Sequence, residues 1–384
     1  MARISNYVEQ IRGVSYKPED VVDDLDETSI VLLRANNIRD GQINFDDVIY
    51  VKKNRVSDKQ MLQKGDILIC ASSGSKDLVG KAAQVEYNIN CTFGAFCKVV
   101  RPKGIHQGFL GMYFQSNKYR RTISQASAGA NINNIKNENI DSLELDVPND
   151  DKQEIIYGLL SKVNNVICAR KAELAELDEL IKARFVELFG ATSANSCTRQ
   201  IKDYADVLGG YAFKSEFFCS DAIPVIRISN INNGTVELDY TVCFSEAFWS
   251  ENKRFQTEKG DILMAMSGAT TGKAGLYNEN APALINQRVA CLRAKDKIAC
   301  PAFLYVATQL DWMYDLIQES SAGCAQPNIS GKQIENMPVP NATYEEQLQF
   351  TSFVEQTDKS KFAVQKALDE AQLLFDSLMQ KYFG

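Results

Sequence analysis

Lys64-Gly65-Asp66-Ile67-Leu68 is written a second time as Lys259-Gly260-Asp261-Ile262-Leu263. Upstream, Leu33-Arg34-Ala35-Asn36-Asn37-Ile38 answers to Ile226-Arg227-Ile228-Ser229-Asn230-Ile231. Downstream, Ser73-Gly74 and Gly80-Lys81-Ala82 answer to Ser267-Gly268 and Gly272-Lys273-Ala274. Ser127-Ala128-Gly129 with Asn134-Ile135 answers to Ser321-Ala322-Gly323 with Asn328-Ile329, and Leu188-Phe189-Gly190 to Tyr382-Phe383-Gly384. All five pairs keep their order at an offset of 192 to 195 residues. That period is far too long for a solenoid unit and identifies a duplicated domain pair meeting near Gly190.

Each half has two parts. The first holds short apolar runs such as Ile67-Leu68-Ile69 and Ile262-Leu263-Met264, punctuated by Asp40-Gly41 and Asn233-Gly234. Runs of that length between turn residues predict strands. The second part is helical: Asp150 to Phe189 has no proline and one glycine, Gly158, and Tyr344 to Phe383 has no proline. Val163, Ile167, Leu174, Leu177, Ile181 and Leu188 recur in alternating threes and fours if Arg170 and Arg184 fill two seam positions. Val364, Leu368, Ala371, Phe375, Leu378 and Tyr382 keep the same beat. Such heptads predict helix pairing. Both stretches follow Val-Pro-Asn, at 147–149 and 339–341, and Asn caps a helix start. A helix of roughly 40 residues is about 60 Å long.

The expected fold is therefore α+β. Two tandem α/β globular modules, at 1–148 and 191–340, alternate with two long helices, at 149–190 and 341–384. The helices pack as an antiparallel coiled coil about a pseudo-two-fold axis of the internal repeat.

The 384 residues suffice for two cores, and 45% hydrophobic with 24% charged residues is a globular composition. The net charge of −7 excludes a simple polycation. By count residues 1–190 carry −1 and residues 191–384 carry −6, so phosphate contacts would call for a local basic cleft or a second protein. Part of the acid, Glu19 to Glu27, reads as a solvated loop. Ten cysteines without CxxC spacing suit a reducing compartment. No apolar run approaches the roughly 18 residues of a membrane span, and Met1 to Ile11 is polar. A cytoplasmic location, with no membrane partner, is expected.

A duplicated enzyme should show a duplicated catalytic set, and the sequence offers none. His106 is the one histidine and has no counterpart in the second half. The glycine loops miss the phosphate-loop pattern, because Ala82 and Ala274 follow the lysines where a metal-binding hydroxyl is required. No Pro-Pro pair exists for an amino-methyltransferase strand end. Asp150-Asp151 reads as a negative first helical turn rather than a nuclease site. No metal site and no cofactor are expected.

What recurs is polar loop chemistry. The first half offers Arg34, Asn36, Asn37, Ser73, Gly74, Lys76 and Lys81. The second offers Arg227, Asn230, Asn232, Ser267, Gly268, Thr270, Thr271 and Lys273, followed by Asn286-Gln287-Arg288. Asn and Gln pair bidentately with adenine and Arg with guanine. Lys, hydroxyls and amides beside glycine suit phosphates. These are the candidate DNA-binding residues. A duplicated coiled-coil scaffold that binds protein through its globular ends is the alternative.

The ordered set resembles the specificity (S) subunit of type I restriction-modification systems. The resemblance rests on Lys259-Gly260-Asp261-Ile262-Leu263, Ser267 to Gly272, Ile285-Asn286-Gln287, Asn328-Ile329-Ser330 and Met337-Pro338-Val339-Pro340 ahead of the final helix. The first half departs at Ile89-Asn90-Cys91, set against Ile285-Asn286-Gln287, and lengthens its glycine loop with Ser75 to Leu78. The resemblance implies two target recognition domains, each reading half of a bipartite asymmetric target in double-stranded DNA, with the helices setting the gap. It implies a non-catalytic chain that recruits two modification (methyltransferase) subunits and then restriction (endonuclease/translocase) subunits. S-adenosylmethionine, ATP and Mg would belong to those subunits.

Overall fold

The computed structural model describes residues 1–75, 78–127, 133–220, 222–232, 234–239, 241–321 and 327–384. It contains two compact units, one of Met1–Arg170 with Ala367–Gly384 and one of Lys171–Lys366.

In the first unit the strand Ile67–Cys70 is buried at every residue and sits inside a four-stranded antiparallel sheet. Its neighbours are Ala82–Gln84 and Cys97–Pro102, with Val8–Arg12 at the far edge. Because successive side chains face opposite ways, Ile67 and Ile69 pack on Phe109, Tyr113 and Ile123 of the covering helices. Leu68 and Cys70 pack on Leu33, Phe93 and Val99. The second layer is a sheet in the order Cys91–Phe93, Ser29–Leu33, Ile49–Lys52, Val21–Val22, whose first pair is parallel.

The second unit repeats this plan. Ile262–Ala265 is again wholly buried, flanked by Val289–Ala294 and Ala274–Leu276 in a six-stranded sheet. Ile262 and Met264 face Phe303 and Leu304, while Leu263 and Ala265 face Ile226 and Ile285. Ile223–Ile226 lies between antiparallel Val242–Phe244 and parallel Leu284–Ile285. The glycine loops close identically. Gly80 N donates to Cys70 O at 2.8 Å and Gly272 N to Ala265 O at 2.9 Å. Both glycines adopt positive φ, +81° and +86°, where a Cβ would meet the Cγ2 of Ile123 or Ile317 at 2.8 Å.

The long helices run Asp150–Phe189 and Tyr344–Phe383. Asn149 caps the first, its Oδ1 accepting from Lys152 N at 3.2 Å. The second is capped by Thr343 rather than Asn341. Thr343 N donates to Glu346 Oε2 at 2.8 Å, and Glu346 N donates to Thr343 Oγ1 at 3.3 Å, a reciprocal capping box. In the first unit the start of the first helix (Ile156, Leu160) shares a core with the end of the second (Phe375, Met379, Phe383). In the second unit the end of the first helix (Ile181, Phe185) shares a core with the start of the second (Phe350, Phe353, Val354). The packing is antiparallel. The expected seam holds at Ile167, Ile181 and Val364, which are buried. It fails at its last turn, where Leu188 is exposed and Phe185 is buried. There the helix packs on its module as well, and Arg184 turns to Glu187 at 2.6 Å and to the ring of Phe353. Among the described residues no helix is long and apolar enough to cross a membrane.

Candidate nucleic-acid interface

In the first module three strands end together. Ser29–Leu33 and Cys91–Phe93 are parallel, so Arg34 and Gly94 emerge at one edge, and Gly94 N donates to Leu33 O at 2.9 Å. Ile67–Cys70 ends beside them, because Ala71 N and Ser72 N both donate to Phe96 O. Val14 joins through a parallel bridge to Gly94. The strand ends enclose a cleft of about 760 Å³ lined by Tyr16, Arg34, Asn36, Ser73, Gly74 and Phe96, among others.

Asp47 holds two of the candidates that line this cleft. Arg34 Nη2 lies 3.0 Å from Asp47 Oδ1, and Asn36 Nδ2 donates to Asp47 Oδ2 at 2.6 Å. Arg34 Nε is buried and has no hydrogen-bond partner among the described residues. Ser73 Oγ accepts from Ser75 N at 3.2 Å, and the space where Gly74 would carry a Cβ is open. Asn37 belongs elsewhere. It is 1% exposed, its Oδ1 accepts from Arg34 N at 2.8 Å, and its Nδ2 donates to Asn44 O at 2.9 Å. Its amide closes the turn and offers nothing to a ligand. Lys81 sits outside the cleft lining, on the turn into Ala82–Gln84. Lys76 lies outside the described residues.

The second module builds the same edge. Arg227 leaves Ile223–Ile226, and Asn286 N donates to Ile226 O at 3.0 Å. Met266 N donates to Arg288 O at 2.9 Å, and Ser267 bridges Asn328, as Ser72–Ser73 pairs with Asn133–Asn134 in the first module. Arg227 Nε, like Arg34 Nε, is buried without a partner among the described residues, as are Ser267 Oγ and Thr270 Oγ1. Buried donors left open in this way mark positions where a ligand or water completes the bonding. Asn230 repeats Asn37: it is 5% exposed and accepts from Arg227 N at 3.0 Å. Thr271 is also structural, its Oγ1 donating to Gly268 O at 2.7 Å. Asn232 is exposed and bonds Ser229 O and Glu237. Gly268, at φ +81°, donates its N–H to Pro327 O. Lys273 is exposed and faces a different hollow, beside Asp311 and Tyr314.

The strand register corrects one alignment. Phe93 pairs Leu33 as Ile285 pairs Ile226, so Gly94-Ala95-Phe96, not the region of Ile89-Asn90-Cys91, stands where the second module has Asn286-Gln287-Arg288. The bridges Val14–Gly94 and Tyr211–Asn286 agree. Gly13 and Gly210 permit both approaches, since a Cβ on either would collide with the carbonyl of Gly94 or Asn286. Sequence reading missed Tyr16 and Phe96 in the cleft, and Asp47 as the partner of Arg34 and Asn36. Their signal is position relative to strand ends, which only register reveals.

Thiols beside the site are inert. Burial raises Cys70 to about 11 and drives Cys97 higher still.

The profile of the type I restriction modification DNA specificity domain matches residues 17–179 and again 195–371. The chain is 29% identical to the type I restriction enzyme EcoKI specificity subunit of Escherichia coli K12, across all of this chain and 88% of the relative. It is 26% identical to the StySPI specificity subunit of Salmonella potsdam, again over all of this chain and 88% of the relative. Its fold matches the crystal structure of a type I restriction-modification S subunit from M. genitalium at TM-score 0.54 and 17% identity, covering 100% of this chain and 95% of the other. Matched by that profile once in each of its two repeated halves, the chain belongs to the type I restriction modification DNA specificity family.

Proposed function

We propose that this chain supplies sequence specificity to a type I restriction-modification complex. Each module reads one half of a bipartite, asymmetric duplex target through its strand-end edge, and the antiparallel helices set the gap between halves. The observation that supports this most is the recurrence, in both modules, of an arginine at one strand end with its Nε buried and without a partner among the described residues. It stands beside a serine strand bonded to an asparagine segment. Arginine, asparagine and glutamine side chains at such an edge can discriminate base pairs, while hydroxyls and glycine amides hold phosphates.

Catalysis lies elsewhere in this reading. Two modification subunits would dock on the helices and methylate adenine with S-adenosylmethionine, drawing the base out of the duplex. Restriction subunits would add ATP- and Mg-dependent translocation and cleavage. The net charge of −7 accords with weak DNA affinity of the isolated chain and phosphate contacts shared with those subunits. The setting is cytoplasmic.

The test is a map of methylated adenines in host DNA with and without the gene. A single bipartite motif that vanishes on deletion is the expected result; an unchanged map overturns the assignment. Inserting one heptad in each long helix should lengthen the unread gap and leave both half-sites as they were.

A further inference from the structure

The two modules differ in chemistry at one shared turn. Gly94–Cys97 and Asn286–Val289 are four-residue turns closed by the same bond, Cys97 N to Gly94 O at 2.8 Å and Val289 N to Asn286 O at 2.9 Å. In each, the first residue bridges the parallel neighbour and the two central residues are exposed. The tip is Ala95-Phe96 in one module and Gln287-Arg288 in the other. Backbone geometry is thus held constant while side-chain chemistry is inverted, from apolar to polar.

Phe96 is 71% exposed although its backbone carbonyl is fixed by two amides. It lines the cleft that also holds Arg34, Asn36 and Ser73. Among the described residues Phe96 belongs to none of the apolar cores of that unit, so its ring completes no packing there. A large ring carried on a fixed backbone at the rim of a polar site, with no core to complete, is placed to meet a ligand.

We propose that this turn tip is a specificity-determining element, and that Phe96 reads its half-site by apolar contact with a thymine 5-methyl group in the major groove. Arg288 and Gln287, on the same turn, read theirs by hydrogen bonds. The inference rests on the DNA-reading role above and adds a residue and a base chemistry to it. A thymine methyl is the one apolar feature that a base pair presents in the major groove. The ring can cover it without satisfying any donor or acceptor.

The test uses the full chain assembled with its modification subunits. Methylated adenines are mapped in genomic DNA for the wild type, Phe96→Ala, Phe96→Leu and Phe96→Arg. Phe96→Ala should relax one base-pair position in one half-site only, and Phe96→Arg should shift preference there away from T·A. The other half-site, unchanged, reports an intact chain. Duplexes of the mapped target with deoxyuridine for thymine at that position then isolate the methyl. The wild type and Phe96→Leu should bind these about fourfold more weakly, the factor for one buried methyl group. Phe96→Ala should bind both duplexes equally. Unaltered specificity in Phe96→Ala, or equal loss with deoxyuridine in wild type and Phe96→Ala, overturns the proposal. A wild-type complex with no defined target overturns the specificity role itself, and this inference with it.

Discussion

Arg101 grips Asp66 through two parallel hydrogen bonds, Nε to Oδ1 and Nη2 to Oδ2, each 2.8 Å long. The second unit repeats the fork between Arg293 and Asp261 at 2.9 and 2.7 Å. In both units the same Nη2 also donates to a backbone carbonyl, of Met61 or Gln256. The hydrogen bonds to the carboxylate raise the pKa of each guanidinium, despite desolvation. Asp66 and Asp261 are buried, so removing either carboxylate takes the buried counter-charge from a half-buried guanidinium, although Arg293 keeps a second, exposed partner in Glu258 at 2.7 Å. Asp66→Ala should cost its own unit roughly 3–5 kcal/mol, and Asp261→Ala less in the other, because Glu258 still faces Arg293. Urea titration followed by intrinsic fluorescence should show one transition moving and the other holding. Equal shifts of both transitions would contradict the assignment of one clamp to each unit.

Phe185 meets Phe350 and Phe303 at centroid distances of 5.3 Å, and Phe189 closes the cluster at 4.9 Å from Phe185. Helix, helix and module thus share one aromatic knot in the second unit. Phe185→Ala should destabilise that unit by roughly 3–5 kcal/mol, whereas Leu188→Ala, at an exposed position, should stay within about 0.5 kcal/mol. Thermal unfolding of the two variants distinguishes the observed seam from the one heptad reading would choose.

That contrast shows what was legible in the sequence and what was not. The repeat was readable because its hairpins depend on residues with no substitute: Gly80 and Gly272 at positive φ, and the carboxylates of Asp66 and Asp261. Helix extent was readable because proline is absent and the cap follows Pro148. The last turn of the first helix was not, because heptads describe helix against helix, and Phe185 answers to a module as well. The first module's counterpart of Asn286 was misplaced by a few residues. Cys91–Phe93 is a three-residue strand paired with a segment some 60 positions earlier, and so short a run carries no register of its own. Asn37 and Asn230 looked like base readers because a buried asparagine that closes a turn has the same letter as an exposed one that touches DNA.

Alkaline stability follows from the buried thiols and phenols. Burial raises Cys70 and Cys91 from 9.0 to about 11, and Tyr113 and Tyr305 from 10.0 to about 12. A folded pKa above the unfolded one means that the folded state holds its proton longer. The stabilisation is complete below pH 9 and is lost as pH rises through the folded values, near 11 for the thiols. Urea midpoints should be level from pH 7 to pH 8.5 and fall steadily between pH 9 and pH 11. Cys91→Ala should shallow that fall, after allowance for its own cavity cost. A flat midpoint across this range would mean that these thiols are not protected by burial.

Gly13 and Gly210 offer the most direct perturbation of the recognition edge itself. Each lies so close to the next strand end that an added Cβ would strike backbone, the carbonyl of Gly94 or of Asn286. A backbone obstacle cannot swing aside as a side chain does, so Gly210→Ala must push Tyr211 away from Asn286 and lengthen the bond from Gln287 N to Tyr211 O, now 2.8 Å. The turn carrying Gln287 and Arg288 moves with it, while the central strand Ile262–Ala265 and its core remain packed. Gly210→Ala in the assembled complex should therefore degrade reading of one half-site at several adjacent positions, and Gly13→Ala the other half-site, each leaving its neighbour's sequence intact. Methylation mapping of the two single variants provides the check. Loss of both half-sites from either variant would show that the edges are not independent readers.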